Sequence, residues 1–178
     1  ASTFQDPQET KESFLKYLNE SDFWRAPAST QYHESYEGGL VEHTLKVYEN
    51  LSLLNYIKVL GFSDEQVAKA SILHDLCKVN FYKKALKNRR MDDGTWVRIE
   101  TYEVNDQLPI GHGEKSVIIA LQKHLTLDEH VTLAIRWHMG AYTAESKDYI
   151  GGQTLSNAMS RSKLVVALQM ADMMSTYL

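Results

Sequence analysis

The chain has 178 residues, a length that fits one domain burying roughly 70% of the surface its unfolded chain exposes. With 43% hydrophobic and 24% charged residues, its composition excludes a disordered or fibrous class. A formal net charge of −4 excludes any general attraction to nucleic acid or anionic membranes, so such contacts must be local.

The sole cysteine, Cys77, has no partner for an internal disulfide. No run of apolar residues reaches membrane-spanning length, and the opening ASTFQDPQET lacks the basic-then-apolar layout of a signal peptide. A cytoplasmic location is therefore expected.

In chain order, Asp6-Pro7-Gln8-Glu9 predicts an N-terminal helix over about residues 7–20, with Asp6 as N-cap and Glu9 completing a capping box. Residues 21–39, holding Pro27 and Gly38-Gly39, read as an irregular connection. Apolar residues at helical spacing then predict a long helix from Leu40 to about Leu60, stopped by Gly61. Ser63-Asp64-Glu65-Gln66 is a second capping box, opening a helix that ends near His74-Asp75.

Around Asp93-Gly94 the alternation of MDDGTWVRIETYEV predicts a β-hairpin, inserted near residues 84–105. Helices resume near His112, and again after Thr126, whose spacing to Glu129 suggests a third capping box. Residues 140–153 read as a loop able to cover a site, and one closing helix is expected from about Ser156 to Tyr177. The expected architecture is all-α, a helical bundle with a small inserted hairpin, in a single domain whose core spans about residues 31–178.

Seven histidines are present, and four stand in company suited to a metal site: His43 in GGLVEHTLKV, His74 beside Asp75 in ILHDLCK, His112 in PIGHGEKS, and His138 in IRWHMG. Asp172, in the otherwise apolar ALQMADMM, completes the set, because a buried carboxylate needs a cation or strong hydrogen bonds. Imidazole nitrogen with carboxylate oxygen suits Mn²⁺, Fe²⁺, Co²⁺, Zn²⁺ or Ni²⁺ in preference to Mg²⁺. Only helix packing can unite these residues, as bundle cores commonly do for metals. Each residue taken singly is as well explained as a capped or solvated side chain, and His124 and His130 are read as solvated. Cys77 reads as packed.

The order H…HD…H…H…D, together with GGLVEHTLKV, ILHDLCK, GHGEKSV and IRWHMG, resembles the HD superfamily of metal-dependent phosphohydrolases, and is most similar to the HD domain of YhaM-type 3′-to-5′ exoribonucleases. The resemblance covers about residues 31–178. It implies one or two divalent ions: His43, His74, Asp75 and Asp172 as ligands of the first, with His112, His138 and a bridging Asp75 around a second, or, if only one ion binds, His112 and His138 as substrate contacts. Asp75 and Lys78 take the catalytic positions, and Lys78 and His33 are substrate-binding candidates, although His33 equally fits a packing role; Arg161 is a further candidate for meeting phosphate from its charge alone, with simple surface charge the reading that fits it better. This chain departs from the exoribonuclease pattern in having Met139 after His138 and no preceding nucleic-acid-binding domain, so long nucleic acid is not expected as substrate.

The resulting expectation is cleavage of a phosphoester in a nucleotide or short oligonucleotide by metal-activated water, as a phosphodiesterase or nucleotidase. The alternative is a non-catalytic module that binds a nucleotide or protein partner and keeps metal for structure. Lys84, Lys87, Arg89, Arg90 and Trp96 around the hairpin form a basic and aromatic cluster that either holds a nucleic-acid strand or is simply a solvated ribbon.

Overall fold

The computed structural model describes residues 3–30 and 34–178. Among them, Leu40, Val47, Leu51 and Leu54 turn one stripe of α2 (Gly39–Ile57) into the interior. Each such side chain stabilises the fold by roughly 1.5–3 kcal/mol on burial. The other helices are α1 (Gln8–Glu20), α3 (Asp64–Leu73), α4 (His112–Gln122), α5 (Glu129–Trp137), α6 (Tyr149–Arg161) and α7 (Lys163–Tyr177); α7 and α3 pack directly on α2, α5 packs on α3, α4 and α7, and α6 on α5 and α7. The expected inserted hairpin is present as antiparallel β1 (Tyr82–Arg90) and β2 (Trp96–Val104), paired from Tyr82 opposite Val104 to Arg90 opposite Trp96. No helix among the described residues is long and apolar enough to cross a membrane.

The capping box at Ser63 forms as expected: Ser63 Oγ accepts the Gln66 N–H and the Gln66 side chain accepts the Ser63 N–H. The other two do not. Pro7 stands at the N-cap of α1 without a side-chain cap, and Asp6 turns inward, 2.6 Å from Lys69 Nζ, accepting hydrogen bonds from the Thr126 N–H and hydroxyl. Lys69 is buried, and an unpaired buried charge costs far more than a missing cap. Thr126 is thereby committed to Asp6 and Lys69, and Asp128 caps α5 by accepting the Val131 N–H.

The C-terminal region also differs from its expected form. Asp148 accepts the Gly151 N–H and starts α6 at Tyr149, inside the expected loop. The single closing helix is broken at Ser162, whose extended backbone (φ −141°, ψ 116°) separates α6 from α7 and whose hydroxyl caps α7. The long helix α2 ends at Ile57 rather than near Leu60, where the Asn55 side chain bonds both the N–H and carbonyl of Phe62. His130 is half-buried, edge-on to Phe62, and not fully solvated.

Candidate metal centre

Ordinary core-forming stripes carry the polar residues into the centre. His43 lies three residues after Leu40 and four before Val47, so the stripe that buries α2 also buries His43. Along α7, Leu164 and Leu168 lead at helical spacing to Asp172 and then Ser175. On α3, Ala70 and Leu73 precede His74, after which the chain tightens into a 3-10 turn over Leu76–Lys78 that swings Asp75 and Lys78 to the same place. Gly113 lets the start of α4 press on the end of α5, since a Cβ there would lie 2.2 Å from the Arg136 carbonyl oxygen. That approach sets His112 beside His138, with ring centroids 5.2 Å apart.

Asp75 is the centre of the resulting cluster, and its two carboxylate oxygens face different histidines. Oδ2 lies 3.6 Å from His43 Nε2 and 3.3 Å from His74 Nε2. Oδ1 lies 2.8 Å from His112 Nε2 and 3.7 Å from His138 Nε2. Asp172 closes the first group, with Oδ1 3.0 Å from His43 Nε2. Two sets of potential ligands therefore share one residue: His43, His74 and Asp75 in the first, and Asp75, His112 and His138 in the second. His43, His74, Asp75 and His138 are buried, whereas His112 and Asp172 stand at the mouth, with side chains 32% and 18% exposed.

The donor set fits divalent metal ions. His74 Nδ1–H donates to the Ser71 carbonyl and His138 Nδ1–H to the Ile135 carbonyl, both at 2.7 Å. A carbonyl only accepts, so each neutral ring turns the lone pair of its Nε2 into the cluster. The buried His138 Nε2 has no hydrogen-bond partner, a state that a bound cation would relieve.

The protonation pattern follows from this crowding. Burial opposes charge on His74, but the adjacent Asp75 carboxylate outweighs it and lifts its pKa. Against the same opposition, Cys77 and Asp75 raise His112 to about 10. Burial together with the neighbouring His74 and His112 pushes His138 down to about 3. Burial disfavours the charged form of Asp75, yet Lys78, at 2.7 Å, and the two histidines hold its carboxyl well below the usual range. Lys78 stays charged because Asp75 more than offsets its own burial.

The cluster forms the floor of a cavity of about 910 Å³ that also exposes Lys78, with Tyr82, Met139, Tyr142 and Tyr177 in its walls. This is ample for a nucleotide-sized ligand. Of the substrate-binding candidates, Lys78 is at the cavity and His33 lies outside the described residues. Arg161 is at the surface end of α6, clamped by two hydrogen bonds to Glu129, and does not line the cavity. Cys77 is buried against His112, with Sγ 3.4 Å from both ring nitrogens.

Two residues absent from the sequence-derived set stand behind His43. Its Nδ1 lies 3.2 Å from Ser175 Oγ and 3.8 Å from the buried Glu34 Oε2. Glu34 reaches this position with φ at 42°, where Gly39 makes room: a Cβ on Gly39 would lie 2.0 Å from the Glu34 carbonyl oxygen. Ser175 follows Asp172 by one helical turn, a signal visible in sequence, whereas nothing in the sequence ties Glu34 to His43. Partners behind a ligating imidazole typically change metal affinity by about 10- to 100-fold. Glu34→Ala is accordingly expected to weaken Mn²⁺ binding within that range, measured by calorimetric titration; unchanged affinity would remove Glu34 from the site.

A comparison with protein families agrees with this geometry: the profile of the HD domain matches residues 40–177. Neither a curated protein nor a solved structure matches the chain. The match runs from the start of α2 through α7 and takes in His43, His74, Asp75, His112, His138 and Asp172. The chain belongs to the HD domain family.

Proposed function

We propose that this protein is a dinuclear metal-dependent phosphohydrolase acting on the phosphoester of a nucleotide or short oligonucleotide. HD domains are generally metal-dependent hydrolases, and the observation that carries the finer reading is the division of the Asp75 carboxylate between two histidine pairs at the floor of an open cavity. A residue shared in this way suits a bridge between two ions. His43, His74 and Asp172 complete one side, and His112 and His138 the other.

Divalent ions held there would acidify a bound water and neutralise charge on phosphate oxygens. The protein's own groups prepare the cavity for such a substrate. Lys78 retains its charge beside Asp75 and presents an ammonium to a phosphate oxygen. Burial pushes the Tyr82 phenol up to about 12, so it remains a hydrogen-bond donor at neutral pH. Tyr142 and Tyr177 give the upper wall aromatic surface on which a base can stack, which favours a nucleotide over a simple sugar phosphate.

The deciding experiment is metal content per chain, together with turnover of bis-p-nitrophenyl phosphate and a nucleotide panel in added Mn²⁺. About two ions per chain are expected, with metal-dependent turnover lost in both His74→Ala and His112→Ala. A chain that binds no metal and shows no metal-dependent turnover would sink this reading and favour a non-catalytic binding module.

A further inference from the structure

The hairpin carries features that the metal centre does not explain. Side chains alternate across a strand, and the register puts Tyr82, Lys84, Asn88 and Arg90 of β1 on the same face as Val104, Tyr102, Arg98 and Trp96 of β2. All three aromatic side chains of the two strands therefore share one face with three cations. Glu100 is the only carboxylate the strands place on it, and Glu37 from outside the ribbon pairs with Lys84 at 3.5 Å. The opposite face has Lys83, Lys87 and Arg89 but no aromatic residue.

This aromatic face begins at the candidate metal centre. Tyr82 and Val104 line the same cavity as Asp75 and Lys78. A smaller cavity of about 320 Å³ shares Tyr82 with it, and shares Lys84 and Tyr102 with a recess of about 710 Å³ farther along the ribbon. Beyond that recess, at the tip, Arg90 stands opposite Trp96. Nine residues per strand carry the track about 27 Å from the first pair to the last.

The ribbon is also poorly covered. Leu86, Trp96 and Val104 are 56%, 68% and 55% exposed, and a two-stranded hairpin alone in water is marginal. Arg90 and Arg98 have no ion-pair partner among the described residues. Cations and aromatic rings at both ends of one face match one chemistry closely: the phosphates and bases of a single strand, held by charge and stacking without base-specific hydrogen bonds.

We propose that this face of the hairpin is a binding track for a short single strand of nucleic acid, holding the portion that extends away from the phosphate at the metal centre. The proposal rests on the phosphohydrolase reading for its link to turnover, but the binding it describes is measurable separately. Charge complementarity and the three aromatic residues favour nucleic acid over an acidic polypeptide, which would use the cations and leave the rings idle.

The test is fluorescence anisotropy of a labelled oligothymidylate with the full chain, with Trp96→Ala, and with the double variant Arg90→Ala/Arg98→Ala. Trp96→Ala is expected to weaken binding about tenfold or more, the effect of losing one stacked base. The double variant should lower the slope of log affinity against log salt by about 1.4, the share of two phosphate contacts on a single strand. Turnover of bis-p-nitrophenyl phosphate, too small to reach the ribbon, should stay at the wild-type level in both.

Absent binding by the wild-type chain, unchanged binding by the variants, or equal displacement by polyglutamate would each overturn the track. If the oligothymidylate binds through the hairpin while bis-p-nitrophenyl phosphate is not turned over, the track stands and the phosphohydrolase reading falls. If turnover is found and hairpin-dependent binding is not, the reverse holds.

Discussion

Asp75→Asn is expected to empty both sides of the histidine cluster at once and to reduce metal-dependent turnover by at least about 100-fold, since even a partner standing behind a ligand is worth 10- to 100-fold. The reason is geometric: one oxygen faces His43 and His74, the other His112 and His138, so Asp75 is the one residue shared by both candidate ligand groups. His112→Ala should leave the ligands around His43 and His74 intact, and should retain metal there. The metal-free protein should also suffer. Asp75 is the counter-charge 2.7 Å from Lys78 and 2.8 Å from His112, and removing one member of a buried pair costs about 3–5 kcal/mol. For a domain of this size that lowers Tm by roughly 6–20 °C. Metal content, turnover and thermal unfolding in chelator read the three effects independently. An Asp75→Asn chain with wild-type metal content would refute the shared-ligand geometry.

Much of this centre was legible in the sequence because its residues ride on ordinary core stripes. His43 and Asp172 could be assigned to separate helices from spacing alone, and their meeting follows from the packing of α2 on α7. The hairpin was legible from alternation around Asp93-Gly94. What failed was local chemistry overruled by distant partners. Asp6 and Thr126 each satisfy the rule for capping a helix, yet they bond each other and Lys69 across the chain, and no local pattern reveals a buried lysine 63 residues from its carboxylate. The loop expected through Gly151 and Gly152 instead forms the first turn of α6, where Gly151 presses against the Glu145 carbonyl and the lack of a Cβ is what allows the contact. Arg161 shows the opposite limit: a cation in the correct stretch of sequence is held by Glu129 on the outer surface. Glu34 shows it again, since its place behind His43 depends on a backbone turn rather than on a motif.

Metal binding should release protons, and its affinity should rise with pH. His112, lifted to about 10, carries a proton near neutrality when no ion is bound, and the Asp75 carboxylate raises His74 as well. A ligating imidazole must give its proton up. His138, already neutral with a pKa near 3, has none to lose. The proton displaced from His112 makes affinity climb about tenfold per pH unit, so Mn²⁺ affinity should rise by at least about one decade per unit between pH about 6 and 8. Calorimetric titration in buffers of different ionisation enthalpy would count the protons released.

Stability should fall with pH in chelator, while the increment that metal adds should grow over the same window. In chelator, a histidine whose pKa is raised by folding stabilises the chain fully below its ordinary 6.5, and that contribution is lost as pH rises toward about 10. The chelated protein should therefore become less stable over that window. With Mn²⁺ present at about 100 times its dissociation constant, binding adds about 2.7 kcal/mol, or roughly 5–10 °C in Tm at this chain length, and the gain widens as pH rises. A metal-induced shift that shrinks with increasing pH, or binding without proton release, would show that His74 and His112 do not ligate, leaving the cluster a charge network organised by Asp75 and Lys78.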